Sequence, residues 1–384
     1  MKSTTLFLLF ILFASGLNAQ KKPFTIEEFY KIKSVGSPVL SNSGERIAYS
    51  VTEYDLPAAK TTSTVYVMNK NGSSLKSISD KLPGAYSPFW SVSDDLYLLS
   101  KGQLYKYSFD KDNVEQLTDF YPGISAPVVS NDERYVAFTA DLFPECGVEN
   151  DCNKKLDEST ANGPVQAYIA DNLMFRHWTE YKGEKETFLI LYDMVEKKYE
   201  IITSSDVLSD TYMLGGGPKY AFSPDSRILA YVSTPEKNIA ASTNTDIYLL
   251  PIGSKEAVNI TFANNAWDGT PAFSPDGNYI AYRTQTTPGF EADRFRVAVY
   301  DIKALQTQTL TEVFDYTTSD LSWSQDSKSI YFTANVQGYN PVFKVDAVSK
   351  VVTKVTDDKA VRGYQISKRS EERRVGKECR SRWS

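Results

Sequence analysis

The chain has 384 residues, 42 basic against 48 acidic side chains and a formal charge of −6, with one histidine and three cysteines. An acidic balance argues against a nucleic-acid partner, which would call for a basic face. So few histidines and cysteines do not make a zinc set, and no metal or cofactor is expected.

The first 19 residues read as a secretory signal. Lys2 is a short positive region, Leu6–Phe13 is apolar, and Ala14–Ala19 is rich in small residues. The apolar run is too short to span a bilayer, so the expectation is a secreted or periplasmic protein with no membrane span once the signal is cleaved. Residues 20–36 hold a leading helix over Phe24–Lys33. Thr25 and Glu28 have capping-box spacing there, and Phe24 and Phe29 fit a hydrophobic staple.

From residue 37 one pattern repeats. Phe273–Tyr282 reads as a strand, a Ser-Pro-Asp-Gly turn and a second strand. Taking the turn serine as zero, Ser41, Ser91, Ser130, Ser223, Ser274 and Ser324 each carry apolar residues at +6 and +8. Position +7 is Ala48, Ala137, Ala230 and Ala281 in four units. Position −3 is Pro38, Pro88, Pro127 and Pro271 in four, where the missing N–H suits a strand start or a sheet edge. A third strand follows each hairpin, at Val65–Val67, Leu104–Tyr107, Phe188–Tyr192, Ile247–Leu250, Val297–Tyr300 and Val342–Val345. Fourth strands end in threonine at Thr118, Thr203, Thr261, Thr311 and Thr356. Four short strands every 40–50 residues or so predict an all-β fold, a β-propeller. The propeller is expected over 37–368 with seven blades, the last beginning at Tyr364–Ser367 and truncated.

The third unit is stretched, since Ser130 and Ser223 stand far apart. The excess is an insertion over 141–186, and its period at Val165, Ile169 and Leu173 predicts a helix over Pro164–Leu173. Long insertions on repeat scaffolds tend to carry function. Cys146 and Cys152 lie close together in it, and in a chain bound for an oxidising compartment they read as a local disulfide. Gly215–Pro218 reads as a linker, and Glu291–Arg296 as a solvated charged rim.

Residues 369–384 switch abruptly to charge with no strand pattern. They resemble the in-frame translation of a sequencing adapter and are read as an artefact, which would make this a truncated gene product.

Catalytic chemistry is absent from the sequence as it stands. There is no Gly-x-Ser-x-Gly elbow, and the single histidine, His177, has no marked serine partner. The acidic loop Glu145–Asp151 does not match a calcium-loop pattern.

Phe24–Phe29, the first blade Ser37–Tyr49 and the insertion's Cys146…Cys152, Pro164–Ala167 and Leu173–Trp178 resemble secreted prolyl-oligopeptidase-family serine peptidases. The branch they are most similar to is the dipeptidyl-peptidase V and acylaminoacyl-peptidase type. The resemblance implies a non-catalytic propeller that narrows access to a C-terminal α/β-hydrolase domain of the same chain. That enzyme would release dipeptides or blocked residues from the N-termini of short peptides. A dipeptidyl peptidase must also bind a free α-amino group, and Glu145, Glu149 and Glu180 are candidates by location, with Arg176 to orient one of them. The rival expectation is a stand-alone secreted scaffold, similar to TolB-type propellers, that binds a protein partner.

Overall fold

A computed structural model describes residues 23–36, 38–164, 167, 169–170, 176–177, 180–181, 183–203, 218–366 and 374–375. The segment read as a secretory signal, Gly215–Gly217 and nearly all of 369–384 lie outside the described residues. The leading helix, α1, spans Ile26–Tyr30 and is shorter than expected. Its start is as read: Thr25 caps it, accepting from the Glu28 N–H at 3.3 Å, and Phe24 meets Phe29 edge-on at 6.3 Å.

Six antiparallel sheets follow in chain order. Sheet one holds β1 (Ser34–Val35), β2 (Val39–Leu40), β3 (Arg46–Asp55), β4 (Lys60–Asn69) and β5 (Lys76–Ser77). Sheet two is β6 (Tyr86–Trp90), β7 (Leu96–Ser100), β8 (Gln103–Ser108) and β9 (Asn113–Gln116). Sheet three opens with β10 (Ser125–Val129) and β11 (Tyr135–Leu142). The insertion then supplies α2 (Asn150–Ala161) and a two-stranded ribbon, β12 (Arg176–His177) with β13 (Glu180–Tyr181). Sheet three resumes with β14 (Glu186–Asp193) and β15 (Lys198–Ile201). Sheet four is β16 (Tyr220–Phe222), β17 (Ile228–Ser233), β18 (Asp246–Pro251) and β19 (Val258–Asn259). Sheet five is β20 (Asp268–Phe273), β21 (Tyr279–Thr284), β22 (Arg296–Asp301) and β23 (Gln306–Thr309). Sheet six is β24 (Thr318–Trp323), β25 (Ser329–Ala334), β26 (Val342–Asp346) and β27 (Val352–Lys354). A last two-residue strand, β28 (Tyr364–Gln365), pairs with β29 (Arg374–Val375).

The sheets stand as the blades of a propeller. First strands of successive sheets touch, β2 with β6, β10 with β16, β16 with β20 and β20 with β24. Each neighbouring pair of sheets shares one apolar core, five cores between six sheets. Alternation along the second strand explains this. Ile280 and Tyr282 pack against sheet four while Ala281 between them faces sheet six, its small side chain leaving room for Trp323 and Phe332.

Sheet two departs from the expected register. Phe273 pairs with Ile280, seven residues on, whereas Trp90 pairs with Leu96, one residue sooner. A strand shifted by one residue exchanges its faces. Leu96 and Leu98 therefore take the place expected of Tyr97 and Leu99, which turn instead to sheet three.

Two hydroxyls per blade account for the conserved spacing of the repeat. In four of the six sheets the turn serine donates to the aspartate two residues on and accepts the N–H five residues on. Ser274 does so at 2.5 Å to Asp276 and 3.0 Å from Tyr279, and Ser130, Ser223 and Ser324 repeat both bonds. The closing threonine accepts the N–H that opens the third strand, as Thr118 does from Leu104, Thr203 from Leu189, Thr261 from Ile247, Thr311 from Val297 and Thr356 from Val342. Ser79 takes this place in sheet one, accepting from Val65. Thr311 is fully buried, so Thr311→Val strands the Val297 N–H and is expected to cost about 1–3 kcal/mol, with Thr311→Ser near wild type. Denaturant midpoints compare the three.

The prolines have a sharper role than an edge position. In β6, β10 and β20 the ladder skips between Tyr86 and Phe89, Ser125 and Val128, and Gly269 and Ala272. Ser87, Ala126 and Thr270 hold a positive φ there, and Pro88, Pro127 and Pro271 follow. A proline at the bulge leaves no orphaned N–H.

The expected helix over Pro164–Leu173 is displaced. Its described residues, Pro164, Ala167, Ile169 and Ala170, are not helical, and the helix is α2. α2 buries only Asn153, so it has no apolar stripe for a sequence period to reveal. Glu291–Arg296 is a latch and not a solvated rim. Arg294 donates to the Phe314 and Glu312 carbonyls on the connector to sheet six. Asp293 accepts the N–H groups of Thr286, Thr287 and Arg294, which hold its carboxyl down to about 2 against the opposing effect of burial.

Candidate functional site

The order of strands gives the ring two faces. Turns joining first to second and third to fourth strands lie on one, and connections from second to third strands and between sheets lie on the other. The turn face is knit side to side. Ser43 N–H bonds the Asp94 carboxylate, Asp132 N–H the Ser226 hydroxyl and Asp276 N–H the Ser327 hydroxyl, all at 3.0–3.1 Å between neighbouring sheets. The loop face carries the insertion between β11 and β14. It also carries α1, whose Tyr30 meets Tyr54 at the tip of β3 edge-on at 6.1 Å.

The insertion is anchored at its near end. Cys146 and Cys152 form the disulfide, which ties the turn after β11 to the first turn of α2. Buried Asn153 accepts the Phe143 N–H at 3.0 Å and donates to the Gly147 and Glu149 carbonyls. Asn150 and Asp157 reach back to the connector from sheet two. Asn150 accepts the Tyr121 N–H and donates to the Asp119 carbonyl, and Asp157 accepts from the Tyr121 hydroxyl and pairs with Lys185 at 2.6 Å. Replacing both cysteines by serine removes a short loop closure worth about 2 kcal/mol. Trypsin cleavage near Lys154 and Lys155 is expected to speed up by roughly tenfold while the main unfolding transition holds. An unchanged digestion rate contradicts the anchoring role.

The four candidate site residues fare differently. Glu145 and Glu149 are exposed, one just before the disulfide-closed turn and one within it. Glu149 is also the residue preceding α2, and its side chain makes no capping bond. Arg176 and Glu180 lie on the ribbon, where only the backbone is described. Arg176 stands opposite Tyr181, and His177 stands opposite Glu180. The register therefore puts His177, and not Arg176, on the rung of Glu180. Sequence reasoning missed the anchors Asn150, Asn153 and Asp157, because polar residues on a polar helix give no signal, and with them their partner Tyr121 on the connector.

At the root of the insertion Thr187 donates to the Asp141 carboxylate at 2.5 Å. Lys219, half-buried at the start of sheet four, has its ammonium pushed down to about 8 by burial, opposed by Asp141.

On the turn side a cavity of about 420 Å³ is lined by residues of sheets one, two and six and by β28, including Trp90, Trp323 and Tyr364. β28 touches both neighbours. The Gln365 amide oxygen accepts the Leu40 N–H at 2.6 Å, and the Tyr364 hydroxyl donates to the Asp320 carbonyl.

No family model matches the chain. Over 346 residues it is 28% identical to dipeptidyl-peptidase 5 of Porphyromonas gingivalis, taking in 86% of this chain and 49% of that protein. Dipeptidyl-peptidase 5 of Porphyromonas endodontalis is 26% identical over 350 residues, with 88% and 49% covered. Among solved structures, acylaminoacyl peptidase of Pyrococcus horikoshii superposes with a TM-score of 0.64 at 13% identity, covering 88% of this chain and 49% of that one. The β-propeller domain of the trilobed protease from Pyrococcus furiosus, described as having an open velcro topology, gives 0.55 at 12% identity over 85% and 86%. Identities this low bear on fold alone. The chain spans about half the length of the curated relatives it matches. It is a β-propeller, similar in sequence over most of its length to dipeptidyl-peptidase 5 proteins and similar in fold to acylaminoacyl peptidase and to the propeller domain of the trilobed protease.

Proposed function

We propose that this chain is the substrate-gating propeller of a secreted serine exopeptidase, with an α/β-hydrolase domain encoded beyond Ser367. The enzyme would take short peptides and release dipeptides or blocked residues from their N-termini. The observation that carries the reading is the match to dipeptidyl-peptidase 5 across 86% of this chain but only 49% of the relative.

The distribution of exposed aromatics supports it. Outside the N-terminal segment, the exposed rings among the described residues include Tyr54, Tyr86, Phe262, Phe290, Tyr316 and Tyr339. All lie at loop-face ends of strands or in loop-face connections, and Tyr181 lies in the insertion on the same face. The turn face exposes single aliphatics such as Val92, Val195, Leu305 and Val348. Aromatic enrichment on one face marks a docking surface, and a hydrolase domain set there would meet Glu145 and Glu149. A seventh sheet, begun at β28, would sit between β24 and β2 and complete the ring.

The test is to extend the reading frame and assay its product. The full-length protein should cleave a dipeptidyl chromogenic substrate, and this chain alone should not. Glu145→Gln or Glu149→Gln in the full-length enzyme should lower kcat/KM for free N-termini by about tenfold to a hundredfold, the worth of one charge-assisted bond. N-acylated substrates should be unaffected. A frame that stops soon after the seventh sheet, or a full-length protein inert toward both substrate classes, refutes the peptidase reading and favours the binding scaffold. Full activity with unchanged preference in both variants removes only these two glutamates.

A further inference from the structure

Sheets four and five meet around two buried carboxyls, Asp246 at the start of β18 and Asp268 at the start of β20, both at most 2% exposed. Their partners are neutral. Asp268 accepts from Asn264 at 3.1 Å to each oxygen, and Asp246 accepts from Asn259 at 2.8 Å. Thr261 donates to Asp246 at 3.3 Å and accepts the Ile247 N–H at 2.9 Å.

Other charged or titratable groups around the pair do not neutralise it. Tyr282 on β21 and Tyr248 on β18 face it, and Glu236 is the nearest further charge, a repulsive one. Arg283 follows Tyr282 on β21 and so faces the other side of the sheet. Its guanidinium lies over the Phe295 ring at 4.2 Å and over Trp267 at 5.6 Å. Two like charges buried side by side, with no cation beside them among the described residues, cannot both form cheaply.

The pair sits where sheet five grips the loop 234–245. Asp268 N–H bonds the Thr245 carbonyl at 2.9 Å, and the Thr245 hydroxyl bonds the Asp268 carbonyl at 2.9 Å. The Asn244 amide in turn holds Glu236 at 3.2 Å.

We propose that Asp246 and Asp268 hold one proton between them at neutral pH, and that losing it to solvent base loosens the grip of sheet five on the loop 234–245. The chemistry is a single proton transfer from a carboxyl to water or buffer. The two negative charges left behind repel, and Asp268 is the residue whose backbone carries the latch to Thr245. Burial is the main force keeping the proton on; it pushes Asp268 up to about 7 and raises Asp246 as well. The titration belongs to the pair.

Hydrogen exchange between pH 6 and 8.5, corrected for intrinsic base catalysis, tests this on the chain as it is. Peptides covering 234–246 should lose protection by about tenfold across that range. Asp268→Asn should abolish the change, Asp246→Asn should move its midpoint to lower pH, and Glu236→Gln should move it in the same direction by less. A flat wild-type profile, an Asp268→Asn profile that keeps the wild-type dependence, or an unmoved midpoint in Asp246→Asn overturns the proposal.

Discussion

Phe138→Ala is expected to destabilise the propeller by about 3–5 kcal/mol, the usual cost of emptying a large aromatic site in a packed core. Phe138 on β11 is fully buried and meets Phe120 edge-on at 5.3 Å and Tyr199 at 6.1 Å. Its cluster joins Tyr97, Leu99 and Leu104 of sheet two to Val136, Phe188 and Ile190 of sheet three. The vacated volume lies between two sheets, so neither sheet can close it without pulling from its other neighbour. A surface control, Val348→Ala at a turn that is 88% exposed, should stay within about 0.5 kcal/mol. Urea titrations of the two variants give the comparison; equal midpoints would mean that the sheets do not pack as described.

The second large effect is a gain. Asp268 has its carboxyl raised by burial from 3.8 to about 7, against the opposing hydrogen bonds from the Asn264 amide. Between those two values the folded chain keeps a proton that the unfolded chain has given up. Stability therefore falls as pH rises through that window, and the deficit is complete above about pH 7. Each pH unit of the window is worth about 1.4 kcal/mol, so the full deficit is on the order of a few kcal/mol. Asp268→Asn should remove it, raising Tm at pH 8 by several degrees and matching wild type near pH 4. A variant less stable than wild type at pH 8 contradicts the sign.

Much of the fold was legible because its determinants recur. The turn serines, the closing threonines and the third strands stood at regular offsets, and the structure supplies the reason in two hydroxyl bonds per blade. The sheet-two register was misread because Leu96, Tyr97, Leu98 and Leu99 are all large and apolar, so both faces of β7 fit a core and alternation carries no information. Only the one-residue shortening of the turn, seen in the Trp90–Leu96 pairing, decides between them. The expected helix failed for the opposite reason. Val165, Ile169 and Leu173 offered a period, while α2 formed from polar residues held by Asn153, the disulfide and Asp157.

The candidate site was legible only as a location. The insertion and its disulfide were found from spacing, and Glu145 and Glu149 do lie exposed beside it. The orienting role given to Arg176 rested on nearness in sequence; the backbone register puts Arg176 opposite Tyr181 and His177 opposite Glu180, and no side-chain geometry there bears on the role. The Asp246–Asp268 pair had no signature at all, since the two residues are brought together only when sheet four docks on sheet five. The charged run Glu291–Arg296 looked solvated because its partners, the Glu312 and Phe314 carbonyls, are backbone groups that no side-chain pattern announces.

The central claim is that this ring of radial sheets is the gate of a peptidase. Electron cryomicroscopy of the product of the extended reading frame tests it most directly. The account predicts a seventh four-stranded sheet between Val39–Leu40 and Thr318–Trp323, and an α/β domain seated on the loop face over Tyr54, Phe262, Phe290 and Tyr316. A ring closed by direct pairing of sheets one and six, or a second domain seated on the turn face, would contradict it.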